Sequence, residues 1–74
     1  MKLVQDIGIG ENIRALRLQA DLTQDQVVEQ MQIRGLQISR PSYSKIENNK
    51  HNLRISDLMA LKNIFECEFD ELIE

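Results

Sequence analysis

The sequence has no tryptophan, and its aromatic side chains amount to one tyrosine and two phenylalanines in 74 residues. Proteins that bind single-stranded nucleic acid stack bases on aromatic side chains, so this scarcity argues against that function. The single cysteine, Cys67, excludes an internal disulfide and fits a reducing compartment. The single histidine, His51, is far in sequence from Cys67 and has no second histidine to pair with. We therefore expect neither a metal site nor a cofactor.

Long apolar runs are also missing. No stretch approaches the ~18 apolar residues of a membrane-spanning helix, and no signal-peptide pattern opens the chain. Apolar residues make up 42% and charged residues 28% of the chain, as in ordinary soluble domains. The acidic residues at the end of the chain have no partner base that would indicate a general-acid site. We therefore expect them to form a solvated face. We expect one small cytoplasmic domain without enzymatic activity.

Charge is unevenly distributed along the chain. The net charge is −3, which by itself argues against a nucleic-acid partner. Between positions 31 and 56, however, there are five basic residues and one acid, Glu47, whereas six acids and one lysine follow. The five basic residues are Arg34, Arg40, Lys45, Lys50 and Arg54. Binding depends on the local potential at the contact surface, so the middle of the chain is the candidate for an anionic partner.

Apolar residues recur at helical spacing in five segments. They predict short helices over 11–20, 23–32, 40–48, 57–65 and 69–73. The stripe of the first helix consists of Ile9, Ile13, Leu16 and Ala20. No segment shows the alternation typical of a strand. The pattern predicts an all-α fold, a compact bundle of five helices.

Capping residues mark the starts of three helices. Thr23 followed by Gln26 is a capping box, in which the two side chains satisfy backbone amides that lack helical partners. Ser39 is a good N-cap for the third helix. Arg40 is the alternative cap, because a residue before proline avoids the helical region. Ser56 is the predicted N-cap of the fourth helix.

The third helix has two unlike faces within the stretch S-R-P-S-Y-S-K-I-E-N-N-K at 39–50. Tyr43 and Ile46 lie three residues apart and point toward the core. Hydrogen-bond donors and positive charge point outward from Arg40, Ser44 and Lys45. Such a helix suits an anionic surface rich in hydrogen-bonding groups, and DNA is the obvious candidate.

Three blocks of sequence carry a resemblance to a known family. They are L-T-Q at 22–24, S-x-x-x-Y-S-K-I-E-N-N-K at 39–50 and F-D-E-L at 69–72. In this order they resemble the repressor/Cro-type (XRE-type) helix-turn-helix domain. The resemblance implies a lambda-repressor-like helix-turn-helix domain over 10–74, after an N-terminal lead-in over 1–9. It also implies a sequence-specific transcriptional regulator, in particular a repressor.

The resemblance implies roles for individual residues as well. In this family the helix after the turn lies in the DNA major groove, and the helix before it crosses the DNA backbone. The implied base contacts come from Arg40, Ser42, Ser44 and Lys45. The implied phosphate contacts come from Gln24, Asn48, Asn49, Lys50 and Arg54. Arg17 and Glu47 are implied to form a structural ion pair between the first and third helices.

The resemblance implies double-stranded DNA as the partner. A homodimer would bind an operator whose two half-sites form an inverted repeat. The protein would be cytoplasmic and associated with the nucleoid, in a bacterial or phage context. Four features depart from the family pattern, and two of them are Val28, where the family usually has alanine, and Asp21, in place of a common glycine. The turn before the third helix is about five residues longer than usual, with 32–37 filling it, and Arg34 within it either contacts the DNA backbone or is solvated. Pro41 takes a place that often carries a base-reading side chain.

A protein-interaction module of the same fold is the alternative function. Such a module would be an antitoxin that also binds a toxin, or an antagonist that docks on another regulator. The acidic net charge and the expected exposure of Phe69, Leu72 and Ile73 favour this alternative.

Overall fold

The described residues form five short helices and one minimal pair of strands. A computed structural model describes residues 2–3, 8–50 and 53–74 of the chain. Within these residues the helices are α1 (Ile9–Gln19), α2 (Gln24–Ile33), α3 (Arg40–Glu47), α4 (Ile55–Phe65) and α5 (Phe69–Ile73). The predicted all-α class and five-helix bundle are therefore confirmed. Position 1 and positions 4–7 of the lead-in, together with His51 and Asn52, lie outside the described residues.

The two strands were not predicted. β1 (Lys2–Leu3) pairs antiparallel with β2 (Leu53–Arg54), with Lys2 opposite Arg54 and Leu3 opposite Leu53. Two residues are too few to show the alternation that identifies a strand in sequence. The pairing places the backbone of Lys2 and Leu3 beside the two residues that precede α4.

One apolar core lies between the helices. α1 contacts α3, α4 and α5, and α2 contacts α3 and α4. Fully or almost fully buried side chains come from every helix, and they include Ile9, Ile13, Val27, Met31, Tyr43, Ile46, Leu58, Leu61 and Leu72. Ala20, expected on the α1 stripe, is exposed because α1 ends one residue before it. Arg17 takes the buried place at that end of the helix.

The start of α2 follows the predicted capping box. The Gln26 amide donates to Thr23 Oγ1 over 3.1 Å, and the Thr23 amide donates to Gln26 Oε1 over 2.8 Å. Asp21, in the short connection after α1, has a φ of 59°. Aspartate tolerates this left-handed conformation better than most residues, so it can reverse the chain without glycine.

The connection between α2 and α3 is long, as predicted, and covers positions 34–39. Gly35, its second residue, has a φ of 89°, a conformation that glycine adopts without strain. Leu36 and Ile38 pack against the core from this connection, and the Gln32 side chain donates to the Ile38 carbonyl over 2.8 Å. Ile33, the last residue of α2, is instead 69% exposed.

The predicted N-cap of α4 was wrong. The helix begins at Ile55, and the capping residue is Arg54 rather than Ser56. Asp57 is the third residue of the helix, and its carboxylate accepts a hydrogen bond from the Arg54 backbone N–H over 3.0 Å. This bond satisfies a donor that has no partner within the helix. Ser56 already lies within the first turn of the helix.

α5 exposes less apolar surface than the interaction hypothesis expected. Leu72 is fully buried and Phe69 is partly buried against the core, so only Ile73 of the three is exposed. Cys67 is buried, and burial followed by the nearby Glu71 carboxylate raises the pKa of its thiol. Burial and a raised pKa both lower the reactivity of a thiol, which fits a packing role for Cys67.

Candidate nucleic-acid interface

α3 presents one face to the core and one to solvent. The Ser39 side chain accepts the Ser42 amide over 3.4 Å, so Ser39 rather than Arg40 is the N-cap. Pro41 sits in the first turn, where a missing N–H has no helical partner to lose. Tyr43 and Ile46 are fully buried, as their spacing predicts. The exposed side chains on the other face are Arg40, Lys45 and Asn48, with Ser42 and Ser44 half-buried.

The only acid of α3 is turned inward. Glu47 is 5% exposed, and its carboxylate meets the buried Arg17 side chain of α1. Arg17 Nε lies 2.7 Å from Glu47 Oε2, and Arg17 Nη2 donates to Glu47 Oε1 over 3.2 Å. Arg17 Nη1 also donates to the Leu22 carbonyl over 2.9 Å. This bidentate pair ties α1 to the end of α3 and leaves the solvent face of α3 without negative charge.

Two further side chains extend the ion pair to the surface. Gln24 Nε2 donates to Glu47 Oε1 over 3.1 Å, and Arg40 Nε donates to Gln24 Oε1 over 3.0 Å. The result is a continuous polar network of Arg17, Glu47, Gln24 and Arg40 that joins α1, α2 and α3. Its inner end is buried and its outer end, Arg40, is exposed.

The network sets the protonation of its acid. Burial alone would raise the pKa of Glu47, but hydrogen bonds from Arg17 and Gln24 and the charge of Arg17 outweigh it, so the pKa is lowered. The Tyr43 hydroxyl is buried near this carboxylate and has no hydrogen-bond partner among the described residues. Burial, and then the Glu47 carboxylate, raises the pKa of Tyr43 far above its ordinary range. Both groups therefore keep one protonation state at neutral pH.

This geometry agrees with what sequence comparison finds. A family model described as helix-turn-helix domain matches residues 10–74. The chain belongs to the helix-turn-helix domain family. The family is one of DNA-binding regulators, so membership implies DNA as the partner. Searches of the curated proteins and of the solved structures found no match.

Two amides expected on phosphates are bonded within this helix-turn-helix domain. Gln24 belongs to the polar network, and Asn49 joins the start of α1 to the end of α3. Asn49 Oδ1 accepts the Gly10 amide over 2.8 Å, and Asn49 Nδ2 donates to Glu11 Oε1 over 3.0 Å. Asn49 has a φ of 60°, which ends α3 and aims its side chain back at α1. Both side-chain amides therefore join helices to one another in the free protein: Gln24 joins α2 to α3, and Asn49 joins the end of α3 to α1.

The remaining residues expected on phosphates are differently placed. Asn48 donates to the Ser44 carbonyl one turn back, over 3.0 Å. Lys50 and Arg54 are exposed, and their charged groups have no hydrogen bond or ion pair within the described part of the chain. These two cations flank the segment after α3 and are available to an anion.

The residues expected on bases also differ in access. Lys45 is exposed without a side-chain partner among positions 8–50 and 53–74, whereas Arg40 is exposed but held by Gln24. The Ser42 hydroxyl accepts a hydrogen bond from Ser39 Oγ over 3.1 Å. Ser42 also lines a shallow polar cleft, together with the α2–α3 connection and the start of α4. Arg40 and Lys45 are thus the more accessible members of the predicted set.

One cation near the interface was missed in the sequence. Arg14 is exposed and lines a shallow groove with Glu11, Gln24 and Asn48. Its position three residues before Arg17 places it one turn along α1, which is the signal that could have identified it. Asp21 and Asp25 lie near Arg40 in a neighbouring groove, so the surface around the start of α2 is mixed in charge.

In the described parts of the chain, the helices are too short or too polar to cross a membrane.

Proposed function

We propose that this helix-turn-helix protein is a sequence-specific regulator of transcription, a repressor that covers its promoter and reads the DNA major groove with α3. The observation that carries the proposal is the asymmetry of α3. Its single acid is buried in an ion pair, while its solvent face carries Arg40 and Lys45. A helix of this kind can approach phosphates and base edges without placing a negative charge against them.

Arg40 and Lys45 are the main base-reading residues in this proposal. An arginine or lysine facing the O6 and N7 atoms of guanine is the most common specific contact in the major groove. Ser42 and Ser44 are short and half-buried, so in this proposal they contact only bases that lie close to α3. Pro41 supplies no donor, so α3 reads fewer bases than a helix with a polar side chain there.

Backbone contacts would fix the position of α3 in the groove. Lys50 and Arg54 are best placed for phosphates, with Asn48 beside them. Gln24 and Asn49 each use one amide hydrogen internally and retain a second, so a phosphate contact from either would be shared with its internal role. Arg14 would add one contact from α1.

The size of the domain supports binding as a homodimer. The folded chain measures 26 × 23 × 18 Å, which is less than one ~34 Å turn of DNA. One copy therefore covers one half-site, and two copies related by a twofold axis would cover an inverted repeat with half-sites about one turn, or a multiple of it, apart.

The experiment that tests this proposal is selection of bound sequences from a random duplex pool, followed by titration at increasing salt. If each protomer neutralises about four phosphates, log affinity should fall with log salt at a slope near −7 for a dimer. The expected consensus is an inverted repeat. A protein that binds no duplex even at low salt would contradict the proposal.

A pair of lysine variants sharpens the salt experiment. Lys50→Ala removes one proposed phosphate contact per protomer and should make the slope shallower by about two for a dimer. Lys62→Ala removes the same charge from α4, in the acidic part of the chain, and should leave the slope unchanged. Equal effects of both substitutions would show that only net charge matters.

An antitoxin or other protein-interaction role is the second candidate. Its specific support is Ile73, which is 37% exposed on the acidic α5. With Leu72 buried, this apolar surface is small, so we rank the role below DNA regulation. The two roles are compatible in one protein. Retention of duplex selectivity by Ile73→Ser would separate the surface for a partner protein from the surface for DNA.

A further inference from the structure

We infer that the solvent face of α4 is the surface through which two copies of this chain meet on the operator. The face consists of Ile55, Ser56, Met59 and Asn63. This inference rests on the proposed function, because it takes a homodimer on an inverted repeat as the DNA-bound form. It goes further by naming the surface of contact and by making dimer formation depend on DNA.

The face carries two large apolar side chains next to each other. Ile55 and Met59 are 38% and 45% exposed, and their spacing of four residues places them one turn apart on the same side of α4. Ser56 and Asn63 are exposed on that side as well. Two of the five large apolar side chains that are exposed in the described part of the chain therefore lie together on one helix face.

The face is uncharged, although the chain is rich in charge. The two charged residues within α4, Asp57 and Lys62, are half-buried and lie outside the face. The solvent faces of α1 and α2, in contrast, carry charged side chains such as Arg14 and Glu29. Few charges and an enrichment in methionine distinguish the centre of a protein–protein contact from the rest of a surface. The face therefore suits a protein partner.

The charges at the two ends of α4 favour a second copy of the chain as that partner. Arg54 precedes the helix and Glu66 follows it, and both side chains are exposed. A twofold axis near the middle of the helix would set two α4 helices antiparallel, with Met59 of one copy close to Met59 of the other. Arg54 of each copy would then lie beside Glu66 of the other. The surface is therefore complementary to itself.

The face begins where the proposed DNA contacts end. Arg54 is the N-cap of α4 and one of the residues proposed to contact a phosphate, and Ile55 follows it directly. A second copy docked against α4 would therefore also lie beside the DNA backbone. An arginine side chain has five N–H groups, so Arg54 can bind a phosphate and the carboxylate of Glu66 together.

The face is too small to hold two copies together in free solution. A stable protein–protein contact uses about 20–30 residues from each partner, whereas this face has four residues and one charged residue at each end. Two copies on adjacent half-sites meet at an effective concentration that is about millimolar, so a weak contact is sufficient there. We therefore expect a monomer in dilute solution and a dimer on the operator.

The test compares binding of the full chain to two duplexes, one with a single half-site and one with the complete inverted repeat of the selected consensus. Cooperativity is the factor by which the first bound copy tightens binding of the second. Met59→Glu places a negative charge at the centre of the face in both copies. Ile33→Glu makes the same change at a 69% exposed position on α2 and is the matched control. Thermal unfolding verifies the fold of each variant.

We expect the wild-type protein to bind the second half-site roughly 5–150 times more tightly once the first is occupied. Met59→Glu should lose this cooperativity but bind the single half-site as well as Ile33→Glu, which should keep it. Met59→Lys should lose cooperativity too. An equimolar mixture of Met59→Glu and Met59→Lys should recover it, because opposite charges then face each other across the axis. Cooperativity that survives in Met59→Glu, or a mixture that recovers none, would overturn the inference.

A measurement without DNA separates the inference from the proposed function. When the free protein is concentrated to about millimolar, NMR signals of Ile55, Met59 and Asn63 should shift, while those of Ile33 should not. If the wild-type protein binds no duplex, the proposed function fails, and these shifts still show whether α4 carries the contact between copies. Signals of α4 that stay fixed, or a dimer in dilute solution that Met59→Glu does not dissociate, would overturn the inference.

Discussion

The junction of α1, α2 and α3 and the packing of α4 and α5 are built from different interactions. At the junction, side chains distant in sequence meet through hydrogen bonds, as in the pairs Arg17–Glu47 and Gln24–Glu47. In α4 and α5 the core is apolar, the Asp57 and Glu71 side chains cap their own helices, and a single long-range side-chain bond reaches α5 among the described residues, from Asn12 Nδ2 to the Leu72 carbonyl over 3.0 Å. Directional bonds fix the orientation of a side chain, whereas apolar contacts mainly fix the position of a helix. In the described residues, long-range side-chain bonds are thus concentrated around α3, the proposed reading helix.

The largest effect should follow from breaking the junction at its centre. Glu47→Ala leaves the Arg17 guanidinium buried without its partner, and we expect a loss of about 3–5 kcal/mol in the free energy of unfolding. Chemical denaturation measures this loss. Replacing both partners, in Arg17→Met with Glu47→Leu, should recover at least half of it, because no charge is then left buried. A loss below about 1 kcal/mol in Glu47→Ala would contradict a structural role for the pair.

The apolar region should respond somewhat less to truncation. Leu72→Ala removes a fully buried side chain from α5, and we expect a loss of roughly 2–5 kcal/mol, nearer the lower end because the last helix can relax into the space. Ile33→Ala removes an exposed side chain of similar size and should change stability by less than about 0.5 kcal/mol. Similar losses in both variants would contradict the burial of Leu72.

The close approach of α1 to α3 gives a smaller effect. A Cβ atom on Gly10 would lie 2.5 Å from the Ile46 carbonyl oxygen and 2.6 Å from that of Glu47, so the backbones must separate. We expect Gly10→Ala to cost about 1–3 kcal/mol, although alanine normally favours a helix. Thermal unfolding measures the cost. An unchanged or raised melting temperature would show that the two helices are not in contact at this position.

The smallest effect is the acid dependence of the junction. Because the folded state lowers the pKa of Glu47 below its value of about 4.3 in an unfolded chain, its contribution is complete above that pH and falls as pH drops through the folded pKa. The difference in unfolding free energy between the wild type and Glu47→Gln should therefore shrink from pH 6 toward pH 3. Comparing the two proteins cancels the other carboxylates. A difference that is constant with pH would contradict the ionised pair.

Local features could be predicted from the residues themselves, whereas long-range partners could not, except for the pair that the family resemblance implied. The capping box of Thr23 and Gln26 involves residues three apart, so the sequence alone contains it. The wrong N-cap at Ser56 shows the limit of this logic, because Asp57 offered a competing arrangement that starts the helix at Ile55. The bond between Gln24 and Arg40 spans 16 positions, and that between Gly10 and Asn49 spans 39. Such partners depend on how the helices pack.

The same distinction applies to the candidate site. The inward face of α3 followed from the spacing of Tyr43 and Ile46, because helical geometry places them together. The family resemblance supplied the partners Arg17 and Glu47, and the structure brings them into contact. Neither source could show that Gln24 and Asn49 are already bonded within the protein, since that depends on which acceptors the packed helices bring near.

The most direct measurement is the affinity of two variants for the selected duplex, with folding verified separately. Arg40→Ala and Lys45→Ala each remove an exposed cation from α3, so both should keep their fold and lose about 1–3 kcal/mol of binding free energy, with relaxed sequence preference at one or two base pairs. Lys62→Ala on α4 should bind like the wild type. Folded Arg40→Ala and Lys45→Ala proteins with wild-type affinity and sequence preference would contradict the assignment of α3 as the reading helix.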